Sequence, residues 1–137
     1  MPVKSVPIKL DKQRRLCFDF NAFAELQREC ELTILDVQKF VTYYFAFKSG
    51  KVEKLAYPLY ELRGFLWAGL LDETPNITLK EVGNLLEDCY SLGGEAIEEI
   101  GMKLGLALNE STFLKEVKKK AVRSKTVKKR IGAKKTT

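Results

Sequence analysis

The sequence predicts an α+β fold, mainly α: an N-terminal β-hairpin, a bundle of five to six helices, and a basic, disordered C-terminal tail. Three observations carry that prediction. The first twenty residues alternate apolar and polar side chains with period two, the signature of strands with one buried face. From there to about residue 121 the apolar residues recur at helical spacing, in segments separated by caps and glycine or proline breaks. Lys115 to Thr137 then holds 11 basic residues and one acidic one, Glu116, a charge of +10, which leaves −4 on residues 1–114 out of the net +6. At 137 residues the chain accommodates one substantial core. The expected division is therefore a folded domain over 1–114 and a tail over 115–137, partly helical and then disordered.

The elements follow in order. Val6, Ile8 and Leu10 alternate with Pro7 and Lys9, and Leu16, Phe18 and Phe20 repeat the pattern after the polar turn Asp11-Lys12-Gln13. Pro7 cannot donate to a ladder and belongs on an edge strand. Asn21 is read as the N-cap of a first helix carrying Ala22, Phe23, Leu26 and Cys30. The second helix runs from Leu32 to Phe47, with Thr33 as a cap and Ser49-Gly50 as its stop. Pro58 suits the first turn of a third helix, which should be the most buried, since only Glu61 and Arg63 interrupt apolar or small residues between Leu59 and Leu71. Thr78-Leu79-Lys80-Glu81 is a capping box opening a fourth helix with Leu79, Val82, Leu86 and Cys89 on one face.

After the break Leu92-Gly93-Gly94, a fifth helix aligns Ile97, Ile100, Gly101, Leu104 and Leu108, with Glu99 and Lys103 spaced for an i,i+4 pair. Gly101 and Gly105 make a small-residue groove, expected to receive another part of the same chain. A final short helix starts at Ser111, with Phe113, Leu114, Val117 and Ala121 as its apolar side.

The chemistry-bearing residues argue against an enzyme. There is no histidine, the side chain most used for proton transfer near neutral pH. GxGxxG, P-loop and GxSxG patterns are absent. Glu95, Glu98 and Glu99 are read as favouring a helix dipole, and Asp72, Glu73, Glu87 and Asp88 lack the spacing of a calcium loop. No catalytic, cofactor or metal residue is assigned, and Cys17, Cys30 and Cys89 are read as reduced core thiols. No apolar run suits a signal or a membrane span, so the expected location is the cytoplasm and no membrane partner is expected.

Two features suggest macromolecular binding. Tyr43, Tyr44, Phe45 and Phe47 occupy four of five consecutive helical positions and cannot all face one core. Tyr43, Tyr44, Phe47 and nearby Tyr57 are therefore the candidate surface for a partner or for self-association into a homo-oligomer. In the tail, Lys118, Lys119, Lys120, Arg123, Lys128, Lys129 and Arg130 suit an acidic surface or nucleic-acid phosphates, without aromatics to stack on bases.

Three segments, in order, resemble the tail assembly chaperone family of long-tailed bacteriophages and gene transfer agents. They are Phe18-Asp19-Phe20-Asn21-Ala22-Phe23-Ala24-Glu25-Leu26, Leu62-Arg63-Gly64-Phe65-Leu66-Trp67-Ala68-Gly69-Leu70 and Thr78-Leu79-Lys80-Glu81-Val82-Gly83-Asn84-Leu85-Leu86. The resemblance implies a protein that coats a long helical tape measure protein, keeps it soluble and recruits tail tube subunits. It also implies residence in the bacterial host cytoplasm and absence from the mature virion. The alternative reading from the residues is a nucleic-acid-binding accessory protein that uses the basic arm.

Overall fold

The computed structural model describes residues 5–51, 58–91, 94–117 and 119. Strands β1 (Ser5–Lys9) and β2 (Gln13–Cys17) form an antiparallel hairpin with Val6 opposite Leu16 and Ile8 opposite Arg14. Helices α1 (Phe20–Cys30), α2 (Ile34–Lys48), α3 (Leu59–Leu70), α4 (Leu79–Ser91) and α5 (Gly94–Asn109) follow, and a short α6 spans 112–117. The protein is thus mainly helical with an N-terminal hairpin, as its patterning predicts.

The second strand ends earlier than its alternation suggests. Phe18 is buried, but Phe20 is 63% exposed and opens α1, because the Asp19 carboxylate accepts from the Ala22 amide at 2.9 Å and caps the helix. The cap is therefore Asp19, not Asn21. Period two and the first turn of a helix coincide over Phe18 and Phe20, so hydropathy alone cannot separate them. Glu31 ends α1 in the left-handed region (φ 56°), its amide donating to the Gln27 carbonyl.

Thr33 caps α2 through a complete box: its hydroxyl accepts from the Asp36 amide, and the Asp36 carboxylate accepts from the Thr33 amide at 2.8 Å. On α4 the box is only half made. The Thr78 hydroxyl accepts from the Glu81 amide at 3.1 Å, but the Glu81 carboxylate takes that same hydroxyl's proton (3.2 Å) and not the Thr78 amide. Glu99 and Lys103 form no ion pair among the described residues.

Helix α3 is walled in by α1, β2, α4 and α5, and every residue from Gly64 to Leu70 is buried. Close contact with β2 depends on Gly69, where a Cβ would stand 2.8 Å from Phe18 Cζ and 2.9 Å from Leu16 Cδ2. The Trp67 indole N–H donates to the Ile77 carbonyl at 2.9 Å and so ties the α3–α4 connection back onto α3. Helix α5 is the hub, packing on both strands and on α2, α3 and α4. Gly105 receives Tyr44 of α2, whose Cβ and ring atoms occupy the space a side chain would need. At Gly105 the expected small-residue groove is filled from within the chain. Ser111 closes the fold: its hydroxyl donates to the Phe18 carbonyl (2.9 Å) and accepts from the Leu114 amide (3.3 Å), joining the end of β2 to the start of α6. Helix α6 itself runs across the 114/115 boundary into the first residues of the basic segment.

Arg14, on the inward face of β2, is only 8% exposed. Its guanidinium grips Asp11 through two bonds of 2.8 and 3.0 Å and reaches Thr74 Oγ1 at 3.4 Å. The hydrogen bond from Arg14 holds the Asp11 carboxyl below its ordinary 3.8. A carboxyl lowered in the native state stabilises fully above its unfolded value, and that contribution disappears as pH falls through the native one. Urea midpoints measured between about pH 2 and pH 5 should therefore show wild type losing its advantage over Asp11→Asn on the acid side of 3.8. Parallel curves for the two proteins would remove the pair from the acid response.

Candidate protein-binding groove

Two helices that meet at an angle leave a groove wherever the facing side chains are short or splayed. Between α3 and α4 such a groove encloses about 680 Å³ and is lined by Leu59, Tyr60, Leu62, Arg63, Gly83, Leu86 and Glu87. Leu62 closes the floor, being 1% exposed. Gly83 opens it: in place of a side chain there is room for the aliphatic stem of Arg63, whose Cδ lies 3.6 Å from where a Cβ would be. Leu59 and Tyr60 stand at one end, 77% and 58% exposed, the two most solvent-facing of the large apolar side chains of α3. Arg63 on α3 and Glu87 on α4 are the charged groups of the rim, and neither makes an ion pair with any described residue.

Pro58 accounts for the exposure of the α3 end. Its carbonyl accepts from Glu61 and Leu62 at 3.1 Å each, so the helix starts at Leu59, ahead of the turn where neighbouring elements begin to cover it. Nothing in periodicity separates Leu59 from the buried Leu62. The resemblance motifs, however, do coincide with the groove: Leu62, Arg63, Gly83 and Leu86 belong to the second and third of them.

No family model, curated protein or solved structure matches the chain.

The aromatic surface proposed from sequence is placed differently. Tyr44 is 4% exposed and packs on Gly105, so it is a core residue and not part of a free surface. Tyr43 and Phe47 are half-buried on α2, and Tyr57 lies outside the described residues. The surplus aromatic is Phe45, 43% exposed, with its ring 5.3 Å from that of Tyr44. In the basic segment, Lys119 is exposed beside Glu116 at 3.5 Å. Lys118, Lys120, Arg123, Lys128, Lys129 and Arg130 lie outside the described residues.

Among the described residues no group of three or more Cys, Asp or Glu is placed to hold a metal ion, and no helix is long and apolar enough to cross a membrane. The three thiols are free. Burial pushes Cys17 up to about 11, helped by Asp72 and Asp19, and burial likewise raises Cys30 and Cys89. Thiols held protonated in this way are poor nucleophiles.

Proposed function

We propose that this chain is a tail assembly chaperone that binds helical stretches of a tape measure protein through the α3/α4 groove, keeps that protein soluble and brings tail tube subunits to it. The observation that carries the reading is the overlap of two signals: the second and third segments that resemble the chaperone family are the helices that frame an open, mainly apolar groove. An amphipathic helix docks in such a groove by placing apolar side chains at i, i+3 or i+4 and i+7 along it. Many weak sites of this kind, one per chaperone copy, cover a long helical partner reversibly. The preferred surface thereby moves from Tyr43, Tyr44, Phe47 and Tyr57 to Leu59, Tyr60 and Leu86.

Gly83 offers a clean test, because its missing side chain faces the groove and not a core neighbour. Gly83→Ala meets only an ordinary van der Waals contact, and should stabilise the protein by about 0.5–1 kcal/mol through helix propensity. Gly83→Leu should fold as well but fill the groove. Each variant is co-expressed with a tape measure protein, and the soluble fraction of that protein is measured after centrifugation. Wild type and Gly83→Ala should keep it soluble, and Gly83→Leu should not. Full rescue by Gly83→Leu would remove the groove from the function, and no rescue by wild type would remove the chaperone reading.

The nucleic-acid alternative has only the charge segregation of the sequence behind it. Duplex binding that falls steeply with salt and disappears when the basic residues beyond 117 are replaced by alanine would favour it instead.

A further inference from the structure

We propose that, before any partner arrives, the α3/α4 groove is closed by a second copy of this chain, related by a two-fold axis running along the groove. This extends the reading of the groove as the working surface to how that surface is kept covered. The α3 rim carries Arg63 and the α4 rim carries Glu87, and both lack an ion-pair partner among the described residues. Rotation about an axis along the groove lays the α3 rim of one copy over the α4 rim of the other. Each Arg63 then meets the second copy's Glu87, and the match is made twice by one operation, as a two-fold interface requires.

The same operation covers the exposed apolar side chains. An axis along the groove keeps each level of the surface at its own level, so Leu59 and Tyr60, 77% and 58% exposed, meet the same end of the second copy and the two ends shield one another. Residues with this exposure would otherwise remain in water, as a contiguous apolar patch of the kind that marks an interface.

The size of the patch sets its strength. Two adjacent helices about 18 Å long form a surface at the small end of specific interfaces. The dimer is therefore weak and exchanges readily, so a helical partner binding the same groove displaces the second copy. Free chaperone hides its apolar surface, and bound chaperone spends it on the partner.

The test needs no partner, so it fails separately from the chaperone reading. Sedimentation velocity of the full chain over a range of concentrations should show a reversible monomer–dimer equilibrium. Arg63→Glu and Glu87→Arg each place like charges across both rims, and should each weaken the dimer at least about tenfold. The double variant Arg63→Glu/Glu87→Arg restores opposite charges in both pairs and should return the dimer to near wild-type strength. Circular dichroism establishes that each variant is folded, which the exposure of both positions favours. Leu59→Asp, at the most exposed large apolar side chain among the described residues, should give a folded monomer. A wild-type chain that stays monomeric at high concentration overturns the proposal, as does a dimer indifferent to the single swaps or not restored by the double one.

Discussion

Gly105→Ala is expected to destabilise the protein by about 2 kcal/mol, although alanine favours an isolated helix by about 1 kcal/mol over glycine. The reason lies across the α2–α5 interface. An added Cβ would stand 2.6 Å from Tyr44 Cδ2 and 2.7 Å from its Cβ, with Cγ nearer still. These atoms sit close to the α2 backbone, so rotating the ring does not relieve the contact and the helices must separate. Tyr44 is 4% exposed, with Lys48 Nζ over its ring at 6.0 Å from the centroid, and its burial leaves little freedom to withdraw. Tyr44→Ala alone should cost about 3–5 kcal/mol, the range for losing a buried aromatic. In the double variant the ring contacts are gone while the residue-44 Cβ still stands 2.7 Å from the new one, so the clash is relieved in part and the two effects should fall short of additivity by about 1 kcal/mol. Urea unfolding of the four proteins measures that coupling. Additive effects would mean that Gly105 is not needed to seat Tyr44.

This contact also shows where sequence reasoning reaches and where it stops. That some aromatics of Tyr43, Tyr44, Phe45 and Phe47 must leave the core follows from helical geometry. Which of them leaves depends on a glycine some sixty residues away, and no local pattern contains that information. The same holds for Arg14. Period two places it on the inward face with Leu16, yet a charged side chain there reads as a register error until Asp11 and Thr74 are seen to receive it. Helix positions were legible because caps and breaks are local: Thr33, Pro58, Gly50 and Thr78 act within a few residues of themselves. The groove was not legible, since Leu59 and Leu62 are alike in hydropathy and differ only in what the third dimension sets against them.

The motif residues of α3 illustrate how stability and binding share one framework. Inward-facing members such as Phe65, Leu66 and Trp67 fix α3 against α1, β2 and α5. The position of α4, and hence the width of the groove, depends on how the connection after Leu70 is held, and Trp67 holds it.

Trp67→Ala should therefore cost as much as Tyr44→Ala, about 3–5 kcal/mol from lost burial and the remaining cavity. Trp67 is 6% exposed, and its indole N–H is bonded to the Ile77 carbonyl, the residue before the α4 cap. Trp67→Phe separates the two contributions. It keeps much of the apolar volume and removes the donor, leaving the carbonyl of the buried Ile77 without its partner, a loss of about 1–3 kcal/mol. Because that bond anchors the Thr74–Thr78 stretch, Trp67→Phe should also loosen the start of α4, seen as faster amide hydrogen exchange at Val82 and Gly83 than at Leu104 of the α5 hub. Under the proposed function, the same variant should rescue the tape measure protein less well than its remaining stability alone would allow. Slowed binding with unchanged exchange at Val82 and Gly83 would show that Trp67 acts elsewhere than through the α4 position.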